Sequence, residues 1–376
     1  MVLIYNLSWE QRKLGEVCDV LTGGEAPDDY IKGTEPIGDY KYPILSNGLG
    51  DNALWGFSKT YRISVPAITF SSIGTLGYPE LRNAYFTPII RLKVIIPKDK
   101  NHNINYLKHN LCLADFSDNA SGIPNINADS VKAIEFYDSI DITEQRKIGE
   151  LFDSLDKIIT LHQRKYERLT QIKKALLEKM FPANNETVPS IRFKGFNEAW
   201  EQRKLGDSVI MNRFPQIGAE ELESLNTGDG DVTLLPSSRN YDWKCKSSDV
   251  DSTLIHDAEI ITVGRARNAN TKYSKGKFIA SQSHIIESFD KNKLDSKYLY
   301  YFISRHEKEF YSAESTYPMF TKQDFDEISI SYSKEILEQS KISCLLTNLE
   351  DLITLHQRKC EKLKNIKKSL LEKMFC

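Results

Sequence analysis

Long hydrophobic runs are missing from this chain of 376 residues. No stretch approaches the roughly 18 apolar residues of a membrane span. The segment Met1 to Lys13 has no basic lead and no full apolar region, so a secretory signal is not expected either. Cysteine is sparse. Six residues, Cys18, Cys112, Cys245, Cys344, Cys360 and Cys376, lie far apart without a CxxC pair. That spacing argues against a zinc site or a disulfide framework and fits a reducing cytoplasm. Charge of one sign is also lacking: 50 Lys and Arg against 52 Asp and Glu leave a net charge of −2. A globally basic nucleic-acid binder is excluded, so any DNA binding must use local basic surfaces or share the work with a partner. No GxxxxGK[ST] phosphate loop occurs. The GxxG in Ile73-Gly-Thr-Leu-Gly77 and the run Val263-Gly-Arg-Ala-Arg267 are not cofactor fingerprints. What remains is an ordinary globular balance, 40% hydrophobic and 27% charged, long enough for two or three domains.

The strongest positive signal is an internal repeat. Trp9-Glu-Gln-Arg-Lys-Leu-Gly15 returns as Trp200-Glu-Gln-Arg-Lys-Leu-Gly206. The block Glu144 to Phe181 returns as Glu338 to Phe375, identical without gaps at 24 of 38 positions. Its cores are Leu161 to Lys165 (LHQRK) and Leu176 to Phe181 (LLEKMF), repeated at Leu355 to Lys359 and Leu370 to Phe375. Each half therefore has a short lead-in, a variable stretch and a shared block. The period is far too long for a solenoid, so the chain reads as a tandem of two domains.

The shared block has helical periodicity. Ile148, Leu151, Leu155, Ile158, His162, Leu169, Ile172 and Leu176 form a candidate seam, matched by Ile342, Leu345, Leu349, Leu352, His356, Leu363, Ile366 and Leu370. A flanking row, Phe152, Ile159 and Tyr166 with Leu346, Ile353 and Cys360, widens the stripe. Asp141 and Glu144 suggest a capping box and Pro182 a stop. Such helices are each about 55 Å long at about 1.5 Å per residue. One apolar stripe on so long a helix needs a partner, and the other copy supplies it. Lys173, Lys174 and Lys179, with Lys367, Lys368 and Lys373, make the helix ends basic, favourable against the helix dipole.

The variable stretches read as α+β globules. Residues 16–140 carry strand-like runs at Ala67 to Phe70, Ile89 to Ile96 and Ala133 to Phe136, with turn signals between them. Residues 207–332 carry runs at Glu259 to Val263, Phe278 to Ala280 and Ile328 to Ile330. Ser296 to Tyr311 and Tyr106 to Ala114 read as matching helices. The expected fold is α+β, with two pseudo-symmetric globular domains separated by a long antiparallel two-helix coiled coil. The boundaries are 1–142, 143–182, 183–334 (a linker and the second globule) and 335–376. The helices are expected to be antiparallel because the first delivers the second globule at its far end and the second must return. By residue number, His162 and His356 sit at the middle of the seam and are expected in one layer, a polar step that sets register.

Two unlike heads on a fixed spacer suit a bipartite target, and a helix of about 55 Å spans at most roughly 16 base pairs. On the twin lead-ins, the segment Pro189-Ser-Ile-Arg-Phe-Lys-Gly-Phe196 and both helices through LHQRK and LLEKMF, the chain resembles a type I restriction-modification specificity (S) subunit. The resemblance covers nearly the whole chain, strongest in helices and lead-ins and weak in the heads. It implies two target-recognition domains that read double-stranded DNA. It also implies assembly with two modification (methyltransferase) subunits, and with restriction subunits in the full complex. The chain itself would be non-catalytic and carry no cofactor or metal. S-adenosylmethionine, ATP and Mg would belong to the partner subunits. The absence of an Asn-Pro-Pro-aromatic or Asp-Pro-Pro-aromatic tetrapeptide agrees.

Base readout uses polar and cationic side chains on loops. In the first head the candidates are Asn47, Ser71, Ser72, Thr75 and Tyr78, with Asn83 near them. In the second head they are Arg239, Asn240, Arg265, Arg267, Asn268, Asn270, Lys272 and Tyr273. Solvated loops with Gly and Asn placed for turn geometry are the competing explanation. Two other functions compete with DNA specificity: a coiled-coil protein–protein adaptor with two binding heads, and a self-contained modification enzyme.

Overall fold

The computed structural model describes residues 9–71, 78–99, 101–114, 126–183, 186–240, 242–265, 269–307 and 321–375. The chain forms two compact units, Met1–Arg164 with Gln357–Cys376, and Lys165–His356. Two long helices, Ile142–Lys179 and Ile336–Met374, contribute to both, so the units cut across the four segments expected from sequence. Among the described residues no helix is long and apolar enough to cross a membrane.

The repeated lead-in has the same job in each unit. In unit one Trp9–Lys13 pairs antiparallel with Glu135–Ser139, Trp9 opposite Ser139. The chain then turns inward at Leu14, whose N–H donates to the Ile134 carbonyl at 2.8 Å. A Cβ on Gly15 would stand 2.7 Å from Lys132 Cβ, so only glycine permits this approach. In unit two Glu201–Lys204 pairs with Ser329–Tyr332, and Leu205 N–H donates to the Ile328 carbonyl at 2.7 Å. A Cβ on Gly206 would stand 2.8 Å from Asp326 Cβ. The motif ends in Leu-Gly because the leucine is buried and the glycine touches the next element.

Between lead-in and helix the two units diverge. Unit one holds an antiparallel sheet in the order Cys18–Thr22, Lys93–Pro97, Ala67–Phe70, Glu80–Arg82. Its second sheet runs Tyr30–Ile31, Leu54–Ser58, Tyr42–Leu45, Thr87–Pro88, the last pair parallel. Unit two has one mixed sheet: Val209–Met211, Ser283–Ser288, His256–Gly264, Lys272–Ala280, Val232–Leu235, Lys244–Cys245. The continuous strand expected over Ile89 to Ile96 is interrupted. Ile90 and Arg91 take φ of 51° and 59°, and pairing resumes only at Lys93.

A shared frame surrounds these unlike sheets. Gln145 is buried at the start of the first long helix; its Nε2 donates to the Ser139 carbonyl at 2.7 Å and its Oε1 accepts from Asn103 N–H at 2.8 Å. Gln339 repeats both bonds with the Ser333 carbonyl at 2.7 Å and Asp295 N–H at 2.8 Å. Asn103 and Asp295 in turn cap the helices Ile104–Leu111 and Ser296–Arg305. Tyr106 and Tyr298 are fully buried, and their hydroxyls donate to the carbonyls of Tyr137 and Ser331 at 3.2 and 2.7 Å. Aromatic rings close the frame: Trp9, Tyr106 and Phe375 in unit one, Trp200, Tyr298 and Phe181 in unit two. Asp141 caps the first long helix through Thr143 N–H, at 2.8 Å. Glu144 does not complete the expected capping box; its carboxylate accepts from Ser139 Oγ at 2.5 Å.

Within each unit the stretches of the two long helices run antiparallel. In unit one Lys367 Nζ meets Asp156 at 2.5 Å, and Cys360 Sγ lies 3.5 Å from Gln163 Oε1. In unit two Lys173 Nζ meets Glu350 at 2.6 Å. Lys173 and Lys367 occupy equivalent repeat positions, as do Asp156 and Glu350, so one ion pair occurs in both units. These pairs follow a single register, a step up one helix matching a step down the other.

That register sets His162 level with Glu361 within unit one, and His356 level with Glu167 within unit two. The buried row differs from the expected one. Ile148, Ile342 and Leu349 are buried, and Leu155, Leu169, Leu176, Leu345, Leu363 and Leu370 are half-buried. Leu151, Ile158, Ile172, Leu352 and Ile366 are instead 39 to 43% exposed. The sequence offers two heptad columns beside the shared one, and the flanking column wins. Phe152 and Leu346 on it are fully buried in the unit cores, Cys360 is buried, and Lys173 and Lys367 find acidic partners. On the losing column Lys165 and Lys359 would face the seam without such partners; both are exposed.

Two experiments test these assignments. Phe152→Ala should cost about 3–5 kcal/mol by denaturant unfolding, whereas Leu151→Ser should stay within about 0.5 kcal/mol; equal costs would restore the other column. The second concerns pH. His109 is buried, its Nε2 2.9 Å from Asp153 and its Nδ1 without a partner. Burial, with Lys108 beside it, pushes its pKa down to about 4. The unfolded chain, titrating near 6.5, therefore binds the proton first as pH falls, and stability drops between about pH 6.5 and 4. His102 has the opposite sign: its bond to Asp138 raises its pKa, so that contribution is present in acid and lost as pH rises through the raised value. A His109→Gln chain should lose less stability than the parent between pH 7 and 5 in urea titrations; equal losses would show that His109 contributes nothing there.

Candidate nucleic-acid interface

In unit two the strands His256–Gly264 and Lys272–Ala280 pair antiparallel, Thr262 opposite Lys272. The loop joining them carries most of the candidates for that head. Arg265 is exposed at its start. Arg267 and Asn268 lie outside the described residues. Asn270 takes a left-handed φ of 40°, and its Nδ2 donates to the Ser237 carbonyl at 2.8 Å. That bond joins the loop to the turn carrying Arg239 and Asn240, both exposed. Two clusters that are some 25 residues apart in sequence thus form one surface, with Arg239, Asn240 and Arg265 open to solvent.

Two other candidates face inward. Lys272 is 3% exposed; its amine donates to the Pro236 carbonyl, and burial pushes its pKa down to about 8. Tyr273 donates to Glu259 Oε1 at 2.5 Å, and burial followed by that contact raises its pKa. Both line a cavity of about 180 Å³ with Lys297, Tyr300, Tyr301, Thr347 and Glu350. The Lys272 amine and the Tyr273 hydroxyl are thus both engaged within unit two. A lysine and a tyrosine in strand alternation carry no sequence mark that separates an inward from an outward role; the strand register decides it.

In unit one Asn47 Nδ2 donates to the Ile90 carbonyl, and Ser71 Oγ lies 3.3 Å from Asn47 Oδ1. Two of the first-head candidates are thus brought together at the Ile89–Leu92 turn. Tyr78 is 58% exposed; Ser72 and Thr75 lie outside the described residues. Asn83 is exposed.

The sequence profile of the type I restriction modification DNA specificity domain matches residues 6–171 and 197–365. The chain belongs to this family. A putative type I specificity subunit of Mycoplasma pneumoniae is 35% identical over 153 residues, covering 40% of either chain. The chain thus spans about two-fifths of the length of that relative. A putative type I restriction enzyme MjaX specificity subunit of Methanocaldococcus jannaschii is 20% identical over 396 residues, covering 96% of this chain and 92% of that one. The crystal structure of a type-I restriction-modification system S subunit from M. genitalium aligns with a TM-score of 0.73 at 15% identity, over 100% of this chain and 98% of that one. That likeness establishes the fold.

Near Asn47, the exposed side chains that sequence reasoning passed over are Arg62, Ile90 and Arg91. The Ile-Arg pair sits in an apolar run that reads as strand, and its left-handed backbone leaves no compositional trace.

The Asn270 bridge gives a direct test. Asn270→Ala loses the bond to Ser237 and places a Cβ-bearing residue without a polar group at positive φ, an expected cost of about 1–3 kcal/mol. Asn270→Gly should recover the backbone part of that cost in thermal melts. If alanine and glycine behave alike, the left-handed conformation is not what asparagine supports.

Proposed function

We propose that this chain is the DNA sequence-specificity subunit of a type I restriction-modification complex, a recognition subunit without catalytic chemistry of its own. Each unit reads one half of a bipartite, asymmetric double-stranded target. The observation that carries this reading is one repeated frame around two unlike sheets. The lead-in, the buried glutamine and the lysine–acid pair are the same in both units, while the loops that meet DNA differ. Equivalent frames present equivalent faces to the two strands of a duplex, and unlike loops ask for unlike half-sites.

The helices form an antiparallel two-helix coiled coil about a pseudo-two-fold axis, and their length sets the separation of the half-sites. The exposed column of Leu151, Ile158 and Ile172 with Leu352 and Ile366 is available for two modification subunits to dock. Restriction subunits complete the assembly. S-adenosylmethionine, ATP and Mg are held by those partners. The complex works in the cytoplasm. Lys173 and Lys367 already serve the helix pair, which leaves Lys174, Lys179, Lys368 and Lys373 as the helix-end cations open to phosphate or partner. With a net charge of −2, the partners must clamp much of the phosphate backbone, and affinity for DNA should fall steeply with salt.

The test is a matched deletion. Removing one heptad from the middle of each helix keeps the seam in register and shortens each by about 10 Å, close to 3 base pairs. Methylation mapping of host DNA with the assembled complex should then show a shorter spacer and unchanged half-sites. A spacer that stays fixed would remove the ruler. Absence of salt-dependent DNA affinity in the presence of the modification subunits would favour a protein adaptor instead.

A further inference from the structure

The connection Ile89–Leu92 in unit one has a backbone that its residues do not favour. Ile90 and Arg91 both occupy the left-handed region, with φ of 51° and 59°. A β-branched residue there is a true outlier, and two successive residues without glycine or asparagine are more costly still. Five backbone bonds hold the turn. Ile89 N–H donates to the Leu45 carbonyl, Ile90 N–H to Gly24, Arg91 N–H to Gly23, Leu92 N–H to Ile89 and Gly23 N–H to Leu92, all between 2.8 and 3.1 Å. The Asn47 amide adds a bond to the Ile90 carbonyl. A Cβ on Gly23 would stand 2.8 Å from the Ile89 backbone, so glycine lies on the supporting side of the turn.

Connecting Thr87–Pro88 to Lys93–Pro97 does not require this strain. Glycine or asparagine at positions 90 and 91 would adopt the same path freely. The chain instead places an isoleucine and an arginine there, with both side chains outward. Ile90 is 45% exposed and Arg91 exposed, while Ile89 and Leu92 on either side are 1% exposed. A second cation shares the site: Arg62 Nη1 lies 3.0 Å from where a Gly24 Cβ would stand, and the Gly24 carbonyl accepts from Ile90 N–H. A rigid tip that presents one apolar and one bidentate cationic side chain, with a second guanidinium beside it, has the chemistry of base-edge contact. Arginine forks onto the paired acceptors that guanine offers best, and an aliphatic group meets a thymine methyl.

We propose that Ile90 and Arg91 are base-reading, specificity-determining residues of unit one, held in place by Asn47 and the Gly23–Gly24 backbone. This rests on the reading of the chain as a DNA-specificity subunit. Ile90→Gly and Arg91→Gly remove the side chains and suit the left-handed backbone, so the melting temperature should be unchanged or higher. In the assembled complex with its modification subunits, methylation would be mapped on a library that varies every position of both half-sites. Each glycine variant should lower discrimination about tenfold at one or two neighbouring positions of one half-site. The other half-site and the spacer should not change. Arg91→Lys, which keeps the charge but not the fork, should relax the same position while methylation remains. An unchanged motif would overturn the proposal. A uniform loss of methylation with base preferences intact would overturn it too, since that is the mark of a phosphate contact. A parent complex that methylates no bipartite sequence at all would overturn the specificity reading itself, an outcome distinct from the other two.

Discussion

Each unit depends on a buried glutamine at the start of a long helix. Gln145 and Gln339 are enclosed, and an amide there is tolerable only when donor and acceptor are both satisfied. Each donates to a backbone carbonyl at the end of the last strand and accepts from the backbone N–H of the cap of the neighbouring short helix, and Gln339 also donates to the Lys293 carbonyl just before that cap. Three elements are fixed by one side chain. The tyrosine hydroxyls and the tryptophan lead-ins pack around this point, so the start of the helix, the strand beside it and the short helix are set together. Loss of either amide bond would leave a buried backbone group unpaired, at about 1–3 kcal/mol each.

The helix pairing adds a second constraint with a different character. Its buried column is not uniformly apolar: half-buried lysines at Lys173 and Lys367 each meet an acid on the facing helix. Charged pairs in such positions contribute little net stability. What they contribute is register, because any other sliding of the helices would bury a lysine against an apolar partner. The repeat places these pairs in both units, so the same register is enforced in each. The other column, with Leu151, Ile158, Ile172, Leu352 and Ile366, is left 39 to 43% exposed.

What varies between the units lies chiefly in the sheets and the connections between their strands. Two small sheets in unit one and a single mixed sheet in unit two satisfy the same frame, since the frame needs only a final strand beside the lead-in and a short capped helix. The loops projecting from those sheets are free to differ. In unit two a single Asn270 bond draws two loops into one surface, and in unit one Asn47 holds a strained turn. Both arrangements use asparagine to fix backbone at a distance in sequence.

The sequence by itself determined the duplication, the helices, their need for a partner and the family. Repeats and heptads are local in the chain, so residue spacing carries them directly. It also marked the lead-in glycines as shared, though only the close approach to Lys132 and Asp326 explains why they must be glycine. The tertiary structure alone decided which of two heptad columns is buried, because Leu151 and Phe152 are both apolar and only the core around Phe152 breaks the tie. It alone decided that Lys272 points inward and that Ile90 and Arg91 form a turn within an apolar run. Side-chain direction in a strand and positive φ at an isoleucine depend on hydrogen bonds from residues far along the chain, here Gly23, Gly24, Leu45 and Asn47, and no local pattern records them.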